Sequence, residues 1–328
     1  MPAVGVLGIG AHVPADEVNN HLIGAWSGAP DEWIVSRTGI LARRYAEPGT
    51  TTSDLAAVAV NDLFAQQPDL RARLDLMVLA TSTPDQPQPA TAAILQHKLA
   101  MSAFPAFDVN AVCSGFVYAL ATAEALLTRS GGGRTGLVVG ADMYSTIMDR
   151  RDRRTVSLFG DGAGAILLGP VPDGYGVLTT RLTTNGEYRE LVEVVAGGTR
   201  ERLSALGIEA GRDRFQMNGR GVRDYALHAV PKVIDDALSA ASMSRDDIDR
   251  VIMHQGNTRL VETLARELGM SMDKVPLTAP EYGNTGAASI PITMHRANAE
   301  RPFERGERLL LAAVGGGMTA GAAVLVWY

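Results

Sequence analysis

The chain has 328 residues, of which 46% are apolar, 20% charged and 5% aromatic, with 35 glycines. Single cores stop growing at roughly 250–300 residues, so two core regions are expected, and a formal net charge of −6 excludes a globally basic nucleic-acid binder. One cysteine excludes an intramolecular disulfide and a cysteine-based metal cluster, and the six histidines show no HxxxH-type spacing, so no metal is expected.

The start, Met1-Pro2-Ala3-Val4-Gly5, lacks the basic segment and cleavage pattern of a signal peptide. No run reaches about 18 uninterrupted apolar residues, so no membrane span is expected and the localisation reads as cytoplasmic. Residues 4–9 predict a strand. Residues 53–64 predict a helix capped by Thr52 or Ser53, with Leu55, Val58, Ala59 and Leu63 on one face. A buried strand at 74–80, a helix at 90–99 and a short strand at 106–109 follow. Residues 114–128 predict a helix that is apolar nearly all round (Phe116, Val117, Tyr118, Ala119, Leu120), a pattern of burial on every side. Gly131-Gly132-Gly133 reads as a loop, and strands follow at 135–140 and 164–168. This alternation predicts an α/β fold.

The second half echoes the first in order. The run 74–80 resembles 248–254, and each leads to a helix, 90–99 and 259–268. A short strand is expected next in each half. A small-residue turn then enters an apolar helix: Cys113-Ser114-Gly115 in one half, Asn284-Thr285-Gly286 in the other. Strand pairs close both halves, 136–140 with 164–168 and 309–314 with 321–326. Two similar α/β halves, 1–170 and 171–328, related by a pseudo-twofold axis, are therefore expected. Such symmetry brings Cys113, His254 and Asn284 to corresponding ends of strands or starts of helices, where ligands of α/β sheets gather.

A cysteine at a helix start is favoured as thiolate by the partial positive charge there. Its own N–H can hold an oxyanion. A lone buried cysteine reads equally as a small hydrophobe. His254, at the end of an apolar strand, also fits a core histidine, and Asn284 a helix cap or turn. A Cys/His/Asn trio serves papain-like proteases too, so the residue types alone leave the reaction open. Gly315-Gly316-Gly317-Met318-Thr319 would let a backbone N–H approach a reacting carbonyl, or simply make a sharp turn. Gly160-Asp161-Gly162 reads as a tight turn near the site floor.

These segments coincide with a known pattern. Ala111-Val112-Cys113-Ser114-Gly115-Phe116, His254-Gln255-Gly256-Asn257, Tyr282-Gly283-Asn284-Thr285-Gly286-Ala287-Ala288-Ser289-Ile290-Pro291 and Gly315-Gly316-Gly317-Met318-Thr319 resemble β-ketoacyl-acyl-carrier-protein synthase III. Asp31-Glu32-Trp33-Ile34-Val35-Ser36-Arg37-Thr38-Gly39-Ile40 and Phe159-Gly160-Asp161-Gly162-Ala163-Gly164-Ala165 match it as well, in the right order along nearly the whole chain. The resemblance implies a thiolase fold, five-layered αβαβα, in a homodimer. It makes Cys113 the nucleophile that takes an acyl group from acyl-CoA. His254 and Asn284 would hold the malonyl thioester carbonyl and stabilise the enolate left by decarboxylation. The N–H groups of Cys113 and Gly316 would form the oxyanion hole. Trp33, Arg37, Arg153, Gly219 and Asn257 would bind CoA and pantetheine, with Trp33 stacking the adenine. Arg220, Arg223 and Arg259 would form a rim for an acidic acyl carrier protein. Acyl-CoA and a malonyl thioester are the substrates so implied, with no permanently bound cofactor, in priming of fatty-acid or polyketide synthesis.

Departures from the pattern keep other functions open. Gln88 stands where the family often has an aromatic residue in its acyl pocket, reached from the partner subunit. A glutamine there faces a polar group toward the acyl chain. Arg154 replaces a frequent glycine and Arg223 a bulky apolar residue. Two further readings are an acyltransferase of the same type acting on a hydroxyl or amine without decarboxylation, and a non-catalytic partner subunit.

Overall fold

A computed structural model describes residues 3–129 and 133–328. Of the Gly131-Gly132-Gly133 loop, the first two glycines lie outside the described residues. The first sheet is built from β1 (Ala3–His12), β2 (Leu74–Ala80), β3 (Ala106–Val109), β4 (Thr135–Met143) and β5 (Asp161–Val171), in the order β1-β5-β4-β2-β3. The second contains β6 (Gly176–Thr184), β7 (Arg250–Met253), β8 (Arg308–Gly315) and β9 (Thr319–Val326), in the order β7-β8-β9-β6. Read from β6, the second sheet repeats the first, two antiparallel pairings and then a parallel one.

Only β3 lacks a counterpart. The corresponding segment, 275–278, forms no strand. Pro276 has no N–H to donate to a ladder. The buried side chain of Gln255 joins this segment to β7 instead. Its Nε2 donates to the carbonyls of Met253 and Pro276 (3.0 and 3.3 Å), and its Oε1 accepts from the N–H groups of Thr278 and Ala279 (3.0 and 3.2 Å).

Six helices complete the layers: α1 (Thr52–Gln66), α2 (Thr91–Lys98), α3 (Gly115–Arg129), α4 (Gly219–Ala240), α5 (Thr258–Glu267) and α6 (Ser289–Glu300). The residues of α3 and α6 pack in one core with residues of both sheets. Helices α1 and α2 cover the outer face of the first sheet, and α4 and α5 that of the second. The arrangement is the expected α/β/α/β/α stack.

Local details differ from the expectations. The cap of α1 is Thr51, in a capping box with Asp54. Thr52 and Ser53 are held by tertiary contacts instead, with the carbonyl of Thr83 and the carboxylate of Asp85. The buried face of α1 is Leu55, Ala56, Ala59, Val60, Leu63 and Phe64, whereas Val58 is 47% exposed. Helix α3 is not buried on every side. Leu126 is exposed, and Tyr118 is half-buried with its hydroxyl donating to the carbonyl of Thr183 (2.7 Å). Gly160-Asp161-Gly162 leads into β5 rather than forming a tight turn.

Two glycines set how closely the halves meet at the centre. A Cβ on Gly140 of β4 would lie 2.4 Å from the carbonyl oxygen of Ala287. One on Gly315, ending β8, would lie 2.9 Å from the backbone nitrogen of Cys113. Backbones therefore touch where any larger residue would force them apart.

Candidate active site

Cys113 sits in a single 3-10 turn, Val112–Ser114, that leads into α3. The residue before it, Val112, has φ +49°. A β-branched residue in that region is an outlier that its surroundings must hold in place. Two contacts do so. The Val112 N–H donates to Asn110 Oδ1 (3.1 Å), and the carbonyl of Ala111 accepts from both Ser114 Oγ (2.9 Å) and Thr319 Oγ1 (3.0 Å). The second contact joins the nucleophile turn to the start of β9.

His254 continues β7, its N–H donating to the carbonyl of Ala312 (2.8 Å). Its Nδ1 lies 2.7 Å from Ser289 Oγ, the first residue of α6. Asn284 is strapped by backbone bonds, its N–H to the carbonyl of Leu158 (2.8 Å) and its carbonyl to the N–H of Gly160 (3.0 Å). The strap is anchored by the fully buried Arg43, which donates to the carbonyl of Ser157 (2.7 Å). Asn284 Oδ1 accepts from the N–H of Gly286 (2.9 Å), so the amide Nδ2 is the donor that faces the cavity, on the side of the Cys113 thiol. The position a Cβ on Gly256 would take is 2.9 Å from His254 Nε2 and 3.7 Å from Asn284 Nδ2. The two side-chain nitrogens thus lie near each other, both beside Gly256.

Cys113, His254, Asn284 and Gly316 all line one cavity of about 1120 Å³. Trp33, Arg37, Gly219 and Asn257 line it too, as do Arg220, Arg223 and Arg259. Arg153 does not line it; its guanidinium lies over the Trp33 ring, 5.0 Å from the centroid, while Arg154 lines the cavity and pairs with Asp152 (3.0 Å). The Asn257 side chain caps α5, accepting from the N–H groups of Arg259 and Leu260. Gln88 is exposed on this chain and does not line the cavity. The segment 190–216, which no pattern in the residues places, contributes a wall through a two-stranded ribbon, Val192–Val194 with Phe215–Met217.

Burial governs the electrostatics. It pushes the Cys113 thiol up to about 12, with the charge of Asp142 adding to the rise. The helix-start argument for a resting thiolate is therefore opposed by a stronger desolvation effect. Burial likewise lowers His254 to about 4, so the imidazole is neutral at physiological pH. Its proton is held near 6.5 in the unfolded chain and only near 4 in the folded one. The stability this histidine contributes is complete above about 6.5 and falls as pH drops toward 4. The expected observation is an imidazole resonance of His254 that stays unshifted from about pH 8 to about pH 5.5 in an NMR titration. A midpoint near the ordinary histidine value would contradict the buried neutral ring.

Sequence reasoning missed the residues behind this floor. Tyr144 is fully buried, its hydroxyl 3.9 Å from Cys113 Sγ, and its ring stacks on Phe159 (centroids 4.4 Å apart) and meets Phe215 edge-on. Asp142 is fully buried in an otherwise apolar strand, a charge in a hydrophobic run that was a readable signal. Ser289, the partner of His254, stands in the segment that resembles the family, but nothing in the residues assigns it a role.

Residues 107–186 match the family described as 3-oxoacyl-[acyl-carrier-protein (ACP)] synthase III, and residues 238–327 match its C-terminal counterpart. The chain is 44% identical over 324 residues to the Streptomyces sp. (strain CL190) protein named acetoacetyl CoA synthase NphT7, covering 98% of each. It is 40% identical over 325 residues to β-ketoacyl-[acyl-carrier-protein] synthase III of Laribacter hongkongensis, covering 99% of each. The crystal structure of the synthase III of Thermus thermophilus superposes with a TM-score of 0.91 at 36% identity, covering 99% of each chain.

Proposed function

This chain belongs to the 3-oxoacyl-[acyl-carrier-protein] synthase III family and is a condensing acyltransferase of thiolase fold; from that premise we propose that it loads an acyl group from acyl-CoA onto Cys113 and condenses it with the enolate formed by decarboxylation of a malonyl thioester. The observation that carries this reading is the placement of His254 Nε2 and Asn284 Nδ2 near each other, both beside Gly256, in the cavity that Cys113 lines. Ser289 Oγ accepts from the N–H of Gln255 (3.3 Å) and lies 2.7 Å from His254 Nδ1; in the tautomer in which its own hydrogen goes to Nδ1, Nε2 carries the ring proton, and that is the tautomer this reading requires. Two neutral N–H donors aimed at one oxygen stabilise an enolate better than the starting thioester carbonyl, because the charge develops only there. As the malonyl C–C bond breaks, its electrons pass to the enolate, carbon dioxide leaves, and the carbanion attacks the acyl-cysteine carbonyl. The N–H groups of Cys113 and Gly316 hold the resulting oxyanion, and the cysteine sulfur departs.

The acyl group is short. Tyr144, Phe159 and Phe215 fill the space beside the sulfur as one aromatic cluster. The CoA handle lies along Trp33, Arg37, Gly219 and Asn257, with Arg153 outside the cavity and over the Trp33 ring. The acceptor is the malonyl thioester of CoA rather than of an acyl carrier protein. Arg259 pairs with Glu262 (3.0 Å) and Arg223 with Asp224 (3.8 Å), while Glu190 and Glu193 line the same mouth, so the rim is mixed in charge. A strongly acidic carrier gains little from such a rim. The relative named acetoacetyl CoA synthase is in keeping with a CoA acceptor. The chain works as a homodimer in which β3, an edge strand paired on one side only, meets a second copy and Gln88 enters the partner's cavity.

Intact-protein mass after exposure to acyl-CoAs of increasing length tests this. An acetyl-sized adduct on Cys113 that is discharged by malonyl-CoA, with release of carbon dioxide, is expected. An octanoyl adduct of equal rate would refute the short pocket, and faster discharge by malonyl-carrier protein would refute the CoA acceptor. A malonyl adduct that persists until an alcohol or amine is added would replace condensation by simple acyl transfer.

A further inference from the structure

Behind the sulfur, a chain of hydroxyl groups runs to a buried carboxylate. Cys113 Sγ lies 3.9 Å from the Tyr144 hydroxyl, which lies 3.0 Å from Ser82 Oγ. Ser82 Oγ lies 3.0 Å from Asp142 Oδ1. Counting donors fixes the direction of the chain. An ionised Asp142 can only accept. Its Oδ1 receives the Ser82 N–H and hydroxyl and the hydroxyls of Thr81 and Thr83, and its Oδ2 receives the N–H of Ala287 (2.7 Å). The single hydroxyl hydrogen of Ser82 is spent on Asp142, so Ser82 receives the Tyr144 hydrogen. The Tyr144 oxygen is then the acceptor that faces the sulfur, and Cys113 S–H donates to it.

We propose that Tyr144, Ser82 and Asp142 form a proton relay that takes the Cys113 proton during acyl loading and returns it when the product leaves. Each hydrogen moves one link: from sulfur to Tyr144, from Tyr144 to Ser82, and from Ser82 to Asp142. The negative charge moves from Asp142 to the sulfur, and no proton enters or leaves. The reversed chain leaves Tyr144 donating to the thiolate. The thiolate forms its bond to the acyl carbonyl carbon, and CoA departs as a thiolate that takes a proton from solvent. At condensation the cysteine sulfur leaves the tetrahedral adduct with its electron pair. The three hydrogens then step back, restoring the thiol and the Asp142 carboxylate.

At rest the environment holds the proton on the sulfur, so its transfer accompanies attack on the acyl carbonyl rather than preceding it. Burial raises Asp142 to about 6, so it is ionised and basic for a carboxylate. Burial also raises the thiol, so a dedicated acceptor is needed to remove its proton. Neither Ser82 nor Asp142 lines the cavity, so they act through Tyr144 and not on the substrate.

The relay rests on Cys113 being the acyl acceptor, so its test includes a reagent that requires no acyl substrate. Alkylation of Cys113 by iodoacetamide and single-turnover loading by acetyl-CoA are measured side by side. Tyr144→Phe and Ser82→Ala are each expected to slow both by about a hundredfold. The double variant is expected to be no slower than either single one, because a relay broken twice is still one broken relay. Ser82→Thr, which keeps the hydroxyl, is expected to restore most of the rate. Multiplying losses in the double variant, or a normal rate in Ser82→Ala, would overturn the relay. If a variant does not fold, alkylation of the unaltered protein in H2O–D2O mixtures serves instead. Several protons moving together give a curved dependence on deuterium fraction, and a straight line would overturn the concerted chain. Normal alkylation kinetics with no adduct from any acyl-CoA would refute the acyl-acceptor reading while leaving the relay standing.

Discussion

Cys113→Ala is expected to show no mass increase with any acyl-CoA and to lose condensation by at least about a thousandfold. The substitution removes the only thiol of the chain. Nothing beside it can take over the attack. Ser114 is fully buried, and its hydroxyl is engaged with the carbonyl of Ala111 and with Thr319 Oγ1. The Tyr144 hydroxyl is held by Ser82, and burial raises it well above the ordinary tyrosine range, so it is a poor nucleophile. The fold is expected to persist. Removing one buried sulfur from a turn held by the side chains of Asn110, Ser114 and Thr319 costs about 1 kcal/mol. The variant should still decarboxylate a malonyl thioester slowly, because His254 and Asn284 keep their partners. Loss of loading with retained decarboxylation separates a missing nucleophile from a collapsed site. An adduct of normal mass on the variant would place the acyl group elsewhere and end the reading of Cys113.

Much of this architecture is legible in the residues. The strands at 74–80 and 106–109 are read to the residue, because short apolar, β-branched runs bounded by turn residues have one comfortable conformation. The closing strand pairs, 136–140 with 164–168 and 309–314 with 321–326, follow from the echo between the halves. What the residues do not show is set by contacts distant in sequence. Thr51 caps α1 because Thr52 and Ser53 are taken by residues 83–85, a pairing that no local pattern announces. The missing counterpart of β3 follows from Pro276 and from the reach of Gln255. Tyr144 comes near Cys113 because β4 and β2 run parallel and end on the same side as the turn before α3. The electrostatic expectation at Cys113 erred because the positive end of a helix is local information, whereas desolvation depends on everything packed around the site.

Asn284→Ala is expected to load acetyl from acetyl-CoA at close to the normal rate and to lose condensation by about a hundred- to a thousandfold, the usual effect of removing one aimed donor. His254→Ala should behave alike. The separation arises from geometry. The loading step draws on the turn at Cys113 and the backbone N–H groups, whereas the enolate oxygen is met only by Nε2 and Nδ2. Asn284 also touches the thiol side of the cavity, so Asn284→Asp is the stricter variant. It keeps the Oδ1 bond to Gly286 while replacing the donor by a carboxylate oxygen, which would repel an enolate. Gly256→Ala crowds both donors without removing either. The added methyl would stand 2.9 Å from Nε2, so the His254 ring must shift, and the variant is expected to slow malonyl decarboxylation and spare loading. Rates of adduct formation and of carbon dioxide release, measured on each variant separately, check the whole set. Full carbon dioxide release in Asn284→Asp or in Gly256→Ala would show that the thioester oxygen binds elsewhere, and the two donors would then need another role. Joint loss of loading and release in all three would instead mean that the strap from Arg43 through Asn284 supports the nucleophile turn itself.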